Sequence, residues 1–260
     1  MTPRLRGVRQ ALLLSLMFAL SLPAPSQEPK PSQEPASSQE SQRSRDFARL
    51  QAHAENGDPA AQLKLGHIFE HGNQGLIDYG QAEYWYRKAA NAGDPIAQND
   101  LAVLYAKGNG VHQDFHEAFK WYLRAAVSGY AVAQNNVGYM YSTGHSVAHD
   151  DAEAARWYKK AADQGFAPAQ SNLAALYSQG RGVPQSDRLA AKWLRSAAQQ
   201  GWASAENGMG IIYEHGRGVA TDLEQARNWY RRAAAHGVSE AARNLDRLSA
   251  SAAALPPNKP

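Results

Sequence analysis

The hydrophobic and polar positions of this chain recur with a fixed period of 36 residues over most of its length. Tryptophan marks the period at Trp85, Trp121, Trp157, Trp193 and Trp229, and glycine keeps the same step from Gly57 to Gly237. Self-similarity at a constant spacing of ~20 to 50 residues is typical of arrays of stacked helical or stranded units. The pattern therefore predicts five units of equal length with no insertion between them.

Each unit has the pattern of two amphipathic helices joined by a loop, which we name helix A and helix B. In the second unit, Asp94 followed by Pro95 is a helix start, and apolar residues then recur on one helical face. Gly108 ends helix A, Asp114 can cap helix B, and Gly129 ends it. The sequence thus predicts an all-α protein.

Neither helix is long enough to be stable alone, because an isolated helix of ~12 to 15 residues is already marginal in water. Stacking of the units must therefore supply the hydrophobic core, as in a solenoid. We expect the indole of each helix B to lie between the helices of its own unit and those of the next unit. On this basis the substitution Trp157→Ala is expected to cost ~3 to 5 kcal/mol of stability.

The N-terminus has the pattern of a secretory signal, since three arginines precede a short apolar run that ends near Ser26. An uncleaved anchor is the alternative, and the sequence leaves it open. Polar, proline-rich chain follows and is expected to be disordered. The predicted order is a signal peptide at 1–26, a disordered linker at 27–44, a capping helix at 45–56, repeats at 57–92, 93–128, 129–164, 165–200 and 201–236, a C-terminal cap at 237–249, and a disordered tail at 250–260.

Charge and cysteine content exclude two classes of function, nucleic-acid binding and thiol chemistry. The net charge of +3 disappears when the three leader arginines are removed, because 24 basic and 24 acidic residues then remain. A neutral chain carries no basic footprint for nucleic acid. The chain has no cysteine, and so no disulfide or thiol nucleophile, whereas its leader indicates export. We expect a secreted protein of the bacterial periplasm, with no stable membrane span once the signal is cleaved.

One stretch, His67-Ile68-Phe69-Glu70-His71, has the spacing of a zinc-protease signature. The Glu-His pair of this stretch returns four units later, at residues 214–215, but there Ile211 stands in place of His67. The pair is therefore a recurring helix end, where a histidine suits the helix dipole. No nucleophile elbow or phosphate-binding loop occurs in the sequence. We predict no metal site, no cofactor and no catalysis.

The units GDPIAQNDLAVLYAKGNGVHQDFHEAFKWYLRAA and GFAPAQSNLAALYSQGRGVPQSDRLAAKWLRSAA resemble Sel1-like repeats, which are relatives of tetratricopeptide repeats. The shared features are AQ at the start of helix A, G-x-G-V in the loop, and A-x-x-W-Y-x-x-A-A on helix B. Departures are Gln74 and Ser146 for the second loop glycine and Ser186 for the loop aspartate. The resemblance implies a right-handed α-solenoid whose members mostly bind other proteins, as adaptors or regulators, often in bacterial envelopes. A cell-wall-related ligand-binding protein or hydrolase is the alternative.

A partner surface is expected on the concave side of the solenoid, which the polar side of helix A would line. A mixture of polar and small apolar residues there suits an extended protein or peptide segment. Alternatively, the asparagines only cap backbone or face solvent. The predicted binding residues are His67, Asn99, Val103, Asn135, Tyr139, Ser171, Asn207 and Ile211. Three rings at one repeat position, Tyr130, Phe166 and Trp202, either seal the seams between units or bind ligand.

Overall fold

The computed structural model of the chain describes residues 36–72 and 76–253, which form twelve α-helices and no β-strand. The predicted signal peptide and residues 27–35 of the predicted linker lie outside this part. The chain divides into two units, Met1–Ser44 and Arg45–Pro260. The helices are α1 (Ala36–Glu55), α2 (Pro59–His71), α3 (Tyr79–Asn91), α4 (Pro95–Lys107), α5 (Phe115–Val127), α6 (Ala131–Thr143), α7 (Asp151–Asp163), α8 (Ala167–Gln179), α9 (Asp187–Gln199), α10 (Ala203–His215), α11 (Leu223–Ala235) and α12 (Ser239–Ala253).

The ten helices from α2 to α11 are five antiparallel pairs, and each pair is one 36-residue repeat. Helix A of the five repeats is α2, α4, α6, α8 and α10, and helix B is α3, α5, α7, α9 and α11. Each helix packs mainly against the helix before it and the helix after it in sequence. This arrangement is an α-solenoid, as the period predicts.

The helix ends are those that the sequence predicts. Asp94 accepts a hydrogen bond from the backbone N–H of Ala97 at 2.8 Å, and Asp114 caps α5 in the same way. Gly108 ends α4 with a left-handed backbone, φ 74°, which an L side chain rarely adopts. These caps fix the length of each helix at 13 residues.

The tryptophans pack toward the preceding helix B, and not toward the next repeat as the sequence analysis expects. Trp85 lies in one cluster with Ala54 of α1 and with Ala61 and Leu65 of α2. The same pattern holds for the later repeats, where Trp193 packs against the cluster of α7 and α8 and Trp229 against that of α9 and α10. The indole therefore closes the groove between its own helix A and the helix B before it.

The residue after each tryptophan makes the contact with the next repeat. This position is Tyr in four repeats and Leu194 in the fourth. Tyr86 and Tyr158 lie in clusters with the following helix A, and Tyr230 lies in a cluster with α12. A tryptophan facing backward and a tyrosine lying between its own helix A and the next helix A therefore hold successive repeats together. Adjacent positions on a helix point in different directions, which explains why the two rings serve different seams.

Burial of the indoles differs along the solenoid. Trp85 and Trp121 are 5% and 4% exposed, whereas Trp157, Trp193 and Trp229 are half-buried. The Lys160 ammonium lies 3.9 Å from the centroid of the Trp157 ring and covers part of its open side. The expected loss of stability in Trp157→Ala is therefore smaller than for removal of a fully buried indole.

The terminal helices are longer than the sequence analysis predicts. α1 begins at Ala36, nine residues before the predicted start of the N-terminal cap, and α12 continues to Ala253 instead of residue 249. Residues 36–44 contain no proline or glycine, and residues 250–253 are alanine and serine, so nothing in either segment breaks a helix. In the described residues, no helix is both long and apolar enough to cross a membrane.

Candidate binding surface along the first helices of the repeats

Two of the predicted binding residues, Asn99 and Asn207, lie inside the protein and not on its surface, at 5% and 7% exposure. Each accepts a side-chain hydrogen bond from an asparagine on the next helix A. The bonds run from Asn136 to Asn99 at 3.0 Å, from Asn172 to Asn135 at 3.0 Å and from Asn244 to Asn207 at 3.4 Å. We call this series the asparagine ladder. It ties repeats together, so Asn99 and Asn207 are not available to a partner.

The His67 side chain is also committed to a neighbouring repeat. Its Nε2 lies 2.8 Å from Asp100 Oδ2, and His71 Nδ1 bonds to the His67 carbonyl at 2.9 Å. Burial raises the pKa of the Asp100 carboxyl, and the bonds from His67 and Asn99 counter part of that shift. Among the described residues, no group of three or more His, Cys, Asp or Glu side chains could hold a metal ion.

Tyr139 is the predicted residue that offers most surface, at 53% exposure. Its ring stacks on His145, with centroids 6.3 Å apart, and Phe115 lies 5.3 Å from the same imidazole. Val103, one repeat earlier, is partly buried against the core. The exposed aromatic group of Tyr139, His145 and Phe115 therefore lies at the end of α6 and is open to a partner.

Ser171 and Ile211 line a cavity of about 220 Å³ between α8, α9 and α10. Ser178, Leu194 and Gly208 line the same cavity. The other six predicted residues lie outside it. Of the residues that the sequence analysis selects, the structure therefore brings Ser171 and Ile211 together.

A series of buried glutamines, which the sequence analysis treats only as a family motif, joins helix A to the helix B before it. The side-chain amide of each donates to the carbonyl of an alanine eight residues earlier. The pairs are Gln62 with Ala54, Gln98 with Ala90, Gln134 with Ala126 and Gln170 with Ala162, at 3.0 to 3.2 Å. These bonds satisfy carbonyls at the end of each helix B, where the helix has no further N–H to offer.

Glu206 replaces glutamine in the fifth repeat and is fully buried. His236 Nδ1 donates to its Oε2 at 2.7 Å, and Arg232 Nη2 lies 2.8 Å from its Oε1 as a charge contact. Because a carboxylate has no N–H, it cannot donate to the Ala198 carbonyl as a glutamine would. Arg232 makes that bond instead, at 3.3 Å. Together, these three side chains therefore replace one amide.

Comparison with known proteins agrees with this geometry. Five Sel1 repeats match the chain, at residues 59–94, 95–130, 131–166, 167–202 and 203–238. The chain belongs to the Sel1 repeat family. The matched boundaries have the predicted 36-residue period and begin two residues later than the predicted units. None of the curated proteins matches the chain.

Three solved structures share the Sel1 repeat architecture. A Sel1 repeat protein from Oxalobacter formigenes is 34% identical with a TM-score of 0.72, over 78% of this chain and 58% of that protein. The antigen c5321 of uropathogenic Escherichia coli is 32% identical with a TM-score of 0.66, over 80% of this chain and 52% of the antigen. A Sel1 repeat protein from Klebsiella pneumoniae is 25% identical with a TM-score of 0.51, over 78% of this chain and 99% of that protein. The chain thus spans a little over half the length of the first two.

The three rings at the start of helix A in successive Sel1 repeats have different environments. Tyr130 and Phe166 are partly buried against the core clusters, whereas Trp202 is 41% exposed. None of the three gives its helix a side-chain cap. Tyr130 and Phe166 therefore seal seams between Sel1 repeats, and Trp202 leaves part of its ring at the surface.

Proposed function

We propose that this protein is a non-catalytic interaction module of the bacterial envelope, which binds an extended segment of a partner protein along the helix A side of the solenoid. Sel1 repeats generally mediate protein–protein interaction. The proposal adds to this general role the place of action, the binding face and the absence of catalysis. Export is supported by the signal-like N-terminus, where three arginines precede a short apolar run.

The observation that carries the proposal is the nature of the positions that break the repeat. A hydrolase would need acid and base side chains that depart from the repeat and converge on one site. Glu206, Arg232 and His236 do converge, but the Glu206 carboxylate is fully buried, and the three side chains replace an amide that joins two repeats. Where α8, α9 and α10 meet, the departures are Leu194 for Tyr and Gly208 for the ladder asparagine. They lie beside an apolar cavity. An apolar recess on a surface that also exposes the Tyr139 ring one repeat earlier favours binding of side chains over chemistry.

The proposal is tested by photo-crosslinking in the producing bacterium. A benzophenone amino acid replaces Tyr139 on α6 in one variant and Val127, at the end of α5, in a control. Val127 is the more exposed of the two, at 73% against 53%. We expect Tyr139 to give a discrete crosslinked protein in the periplasmic fraction, and Val127 to give none. Equal crosslinking from both positions, or recovery of the chain in the cytoplasm alone, would overturn the proposal.

A further inference from the structure

The cavity between α8, α9 and α10 results from two paired departures from the repeat. Tyr86, Tyr158 and Tyr230 are each at most 3% exposed and fill the space between repeats, whereas Leu194 lacks the outer half of a tyrosine ring. Gly208 occupies the position of the ladder asparagines and has no side chain. A Cβ at Gly208 would lie 2.5 Å from Leu194 Cδ2, so the leucine side chain occupies space that a side chain at position 208 would need.

In the fourth repeat, the residue that would bond to the hydroxyl of a tyrosine at position 194 has no such partner. Tyr86 donates to Glu70 at 2.5 Å, Tyr230 donates to Glu214 at 2.7 Å, and Tyr158 bonds to Ser142 at 3.2 Å. Ser178 holds the equivalent position in the fourth repeat. It lines the cavity, and its hydroxyl donates to the Ala175 carbonyl of its own helix at 2.9 Å. The site therefore offers a hydroxyl beside an apolar floor.

An arginine at the cavity has lost the partner that its equivalent keeps. In the preceding repeat Arg181 makes a two-bond contact with Asp151, at 2.7 and 2.9 Å. The same two positions one repeat on are Arg217 and Asp187, and both line the cavity. Across the part of the chain that the structure describes, the Arg217 guanidinium makes no hydrogen bond or ion pair. Asp187 lies in the first turn of α9, where the helix dipole stabilises its charge.

The size of the cavity points to a side chain as the occupant. At about 220 Å³ it is smaller than the ~300 to 1,000 Å³ of sites for drug-sized molecules and cofactors. It would hold roughly seven waters at ~30 Å³ each, which is ample for one leucine, methionine or phenylalanine side chain. A guanidinium with free donors is a matched partner for a carboxylate, because the two bind through parallel hydrogen bonds.

We propose that this cavity takes one large apolar side chain of an extended partner segment, and that Arg217 binds a carboxylate close to it in the same segment. The inference rests on the proposed function and names the chemistry of the partner. In the order of the solenoid, this site lies one repeat beyond the exposed Tyr139. A segment running along helix A would pass both.

The test uses random heptapeptides displayed on phage, selected against the full chain, with the enriched peptides then synthesised and titrated. We expect them to share a large apolar residue within two positions of Asp or Glu. Leu194→Tyr, which fills the cavity, should weaken their binding about 10- to 100-fold. Arg217→Ala should weaken it about tenfold and remove the preference for the acid. Arg181→Ala, whose guanidinium already serves Asp151, is the control and should leave affinity unchanged.

Leu194→Tyr is expected to fold, because Tyr122 occupies the same position in the second repeat with Ala102 where the fourth repeat has Ala174. Its melting temperature, compared with that of the wild type, verifies this. Enriched peptides whose binding ignores Leu194→Tyr would overturn the cavity assignment and leave the proposed function intact. Failure to enrich any peptide would also overturn the assignment. The proposed function is judged separately, by crosslinking from Tyr139.

Discussion

The cluster of Glu206, Arg232 and His236 gives a sharp test of how neighbouring repeats are joined. The carboxylate is fully buried, and its neighbours Arg232 and His236 are each about half-exposed. Removing one partner of a buried ion pair lowers the free energy of unfolding by ~3 to 5 kcal/mol, because the other charge is left unpaired in the low-dielectric interior. In Arg232→Ala the bond from His236 remains and the lost guanidinium was about half-exposed, so we expect a loss at or just below the low end of that range, about 2 to 3 kcal/mol. The lost bond to the Ala198 carbonyl is part of that figure.

A second substitution, Glu206→Gln, should restore the stability lost in Arg232→Ala. Glu206→Gln restores the residue found in the other four repeats, whose amide can donate to the Ala198 carbonyl. The double variant Glu206→Gln with Arg232→Ala should therefore lie within ~1 kcal/mol of the wild type. Gln170→Ala, which removes the equivalent amide in the fourth repeat, is a matched control that should cost about 1 kcal/mol.

The assay is urea unfolding followed by circular dichroism at 222 nm, together with amide hydrogen exchange. Exchange is needed because repeat arrays can unfold in parts, so that a single free energy of unfolding is not always defined. We expect faster exchange in α10 and α11 of Arg232→Ala and recovery in the double variant. An Arg232→Ala protein as stable as the wild type, or a loss that Glu206→Gln fails to recover, would contradict this role of Arg232.

Three further predictions concern stability. Trp121→Ala should cost ~3 to 5 kcal/mol in urea unfolding, and Trp157→Ala clearly less, because the first indole is buried and the second half-buried; equal losses would contradict the packing described. Hydrogen bonds from Arg247 lower the pKa of Glu214 below its ordinary value of 4.5. Their contribution to the free energy of unfolding is therefore complete above pH 4.5 and is lost as the pH falls through the lower pKa of the folded state. The gap in urea midpoint between wild type and Arg247→Ala should therefore close in acid, and a gap that persists there would contradict this. Ser146 holds a left-handed backbone, φ 67°, which glycine adopts without strain. Ser146→Gly should therefore raise the free energy of unfolding by up to about 1 kcal/mol and raise the melting temperature with it. A lower melting temperature would count against strain at this turn.

Much of the fold is encoded by short-range rules that a single sequence displays. Helix starts at Asp94 and Asp114 and the stop at Gly108 each depend on one residue and its backbone. The direction in which Trp85 faces does not. A period of 36 is unchanged whether the indole packs toward the previous repeat or the next, so only three-dimensional packing separates the two.

The binding surface was harder to predict because a polar side chain at a helical position can face either solvent or another polar side chain. Asn99 and Asn207 have the spacing of surface residues, yet each meets an asparagine 37 residues later. That one-residue offset from the period was the available signal. Two neighbouring departures from the repeat, Leu194 and Gly208, suggest a cavity between the fourth and fifth repeats. Its volume depends on the rotamer of Leu194, which the sequence does not give.

Amide hydrogen exchange, measured with and without the partner captured by crosslinking, shows directly whether that partner binds along helix A. We expect slower exchange in α6, α8 and α10, with the largest change where Ser171 and Ile211 face the cavity. Helices α5, α7 and α9 should change little beyond the first turn of α9. Protection confined to helix B of the repeats, or none in any helix, would contradict binding along helix A.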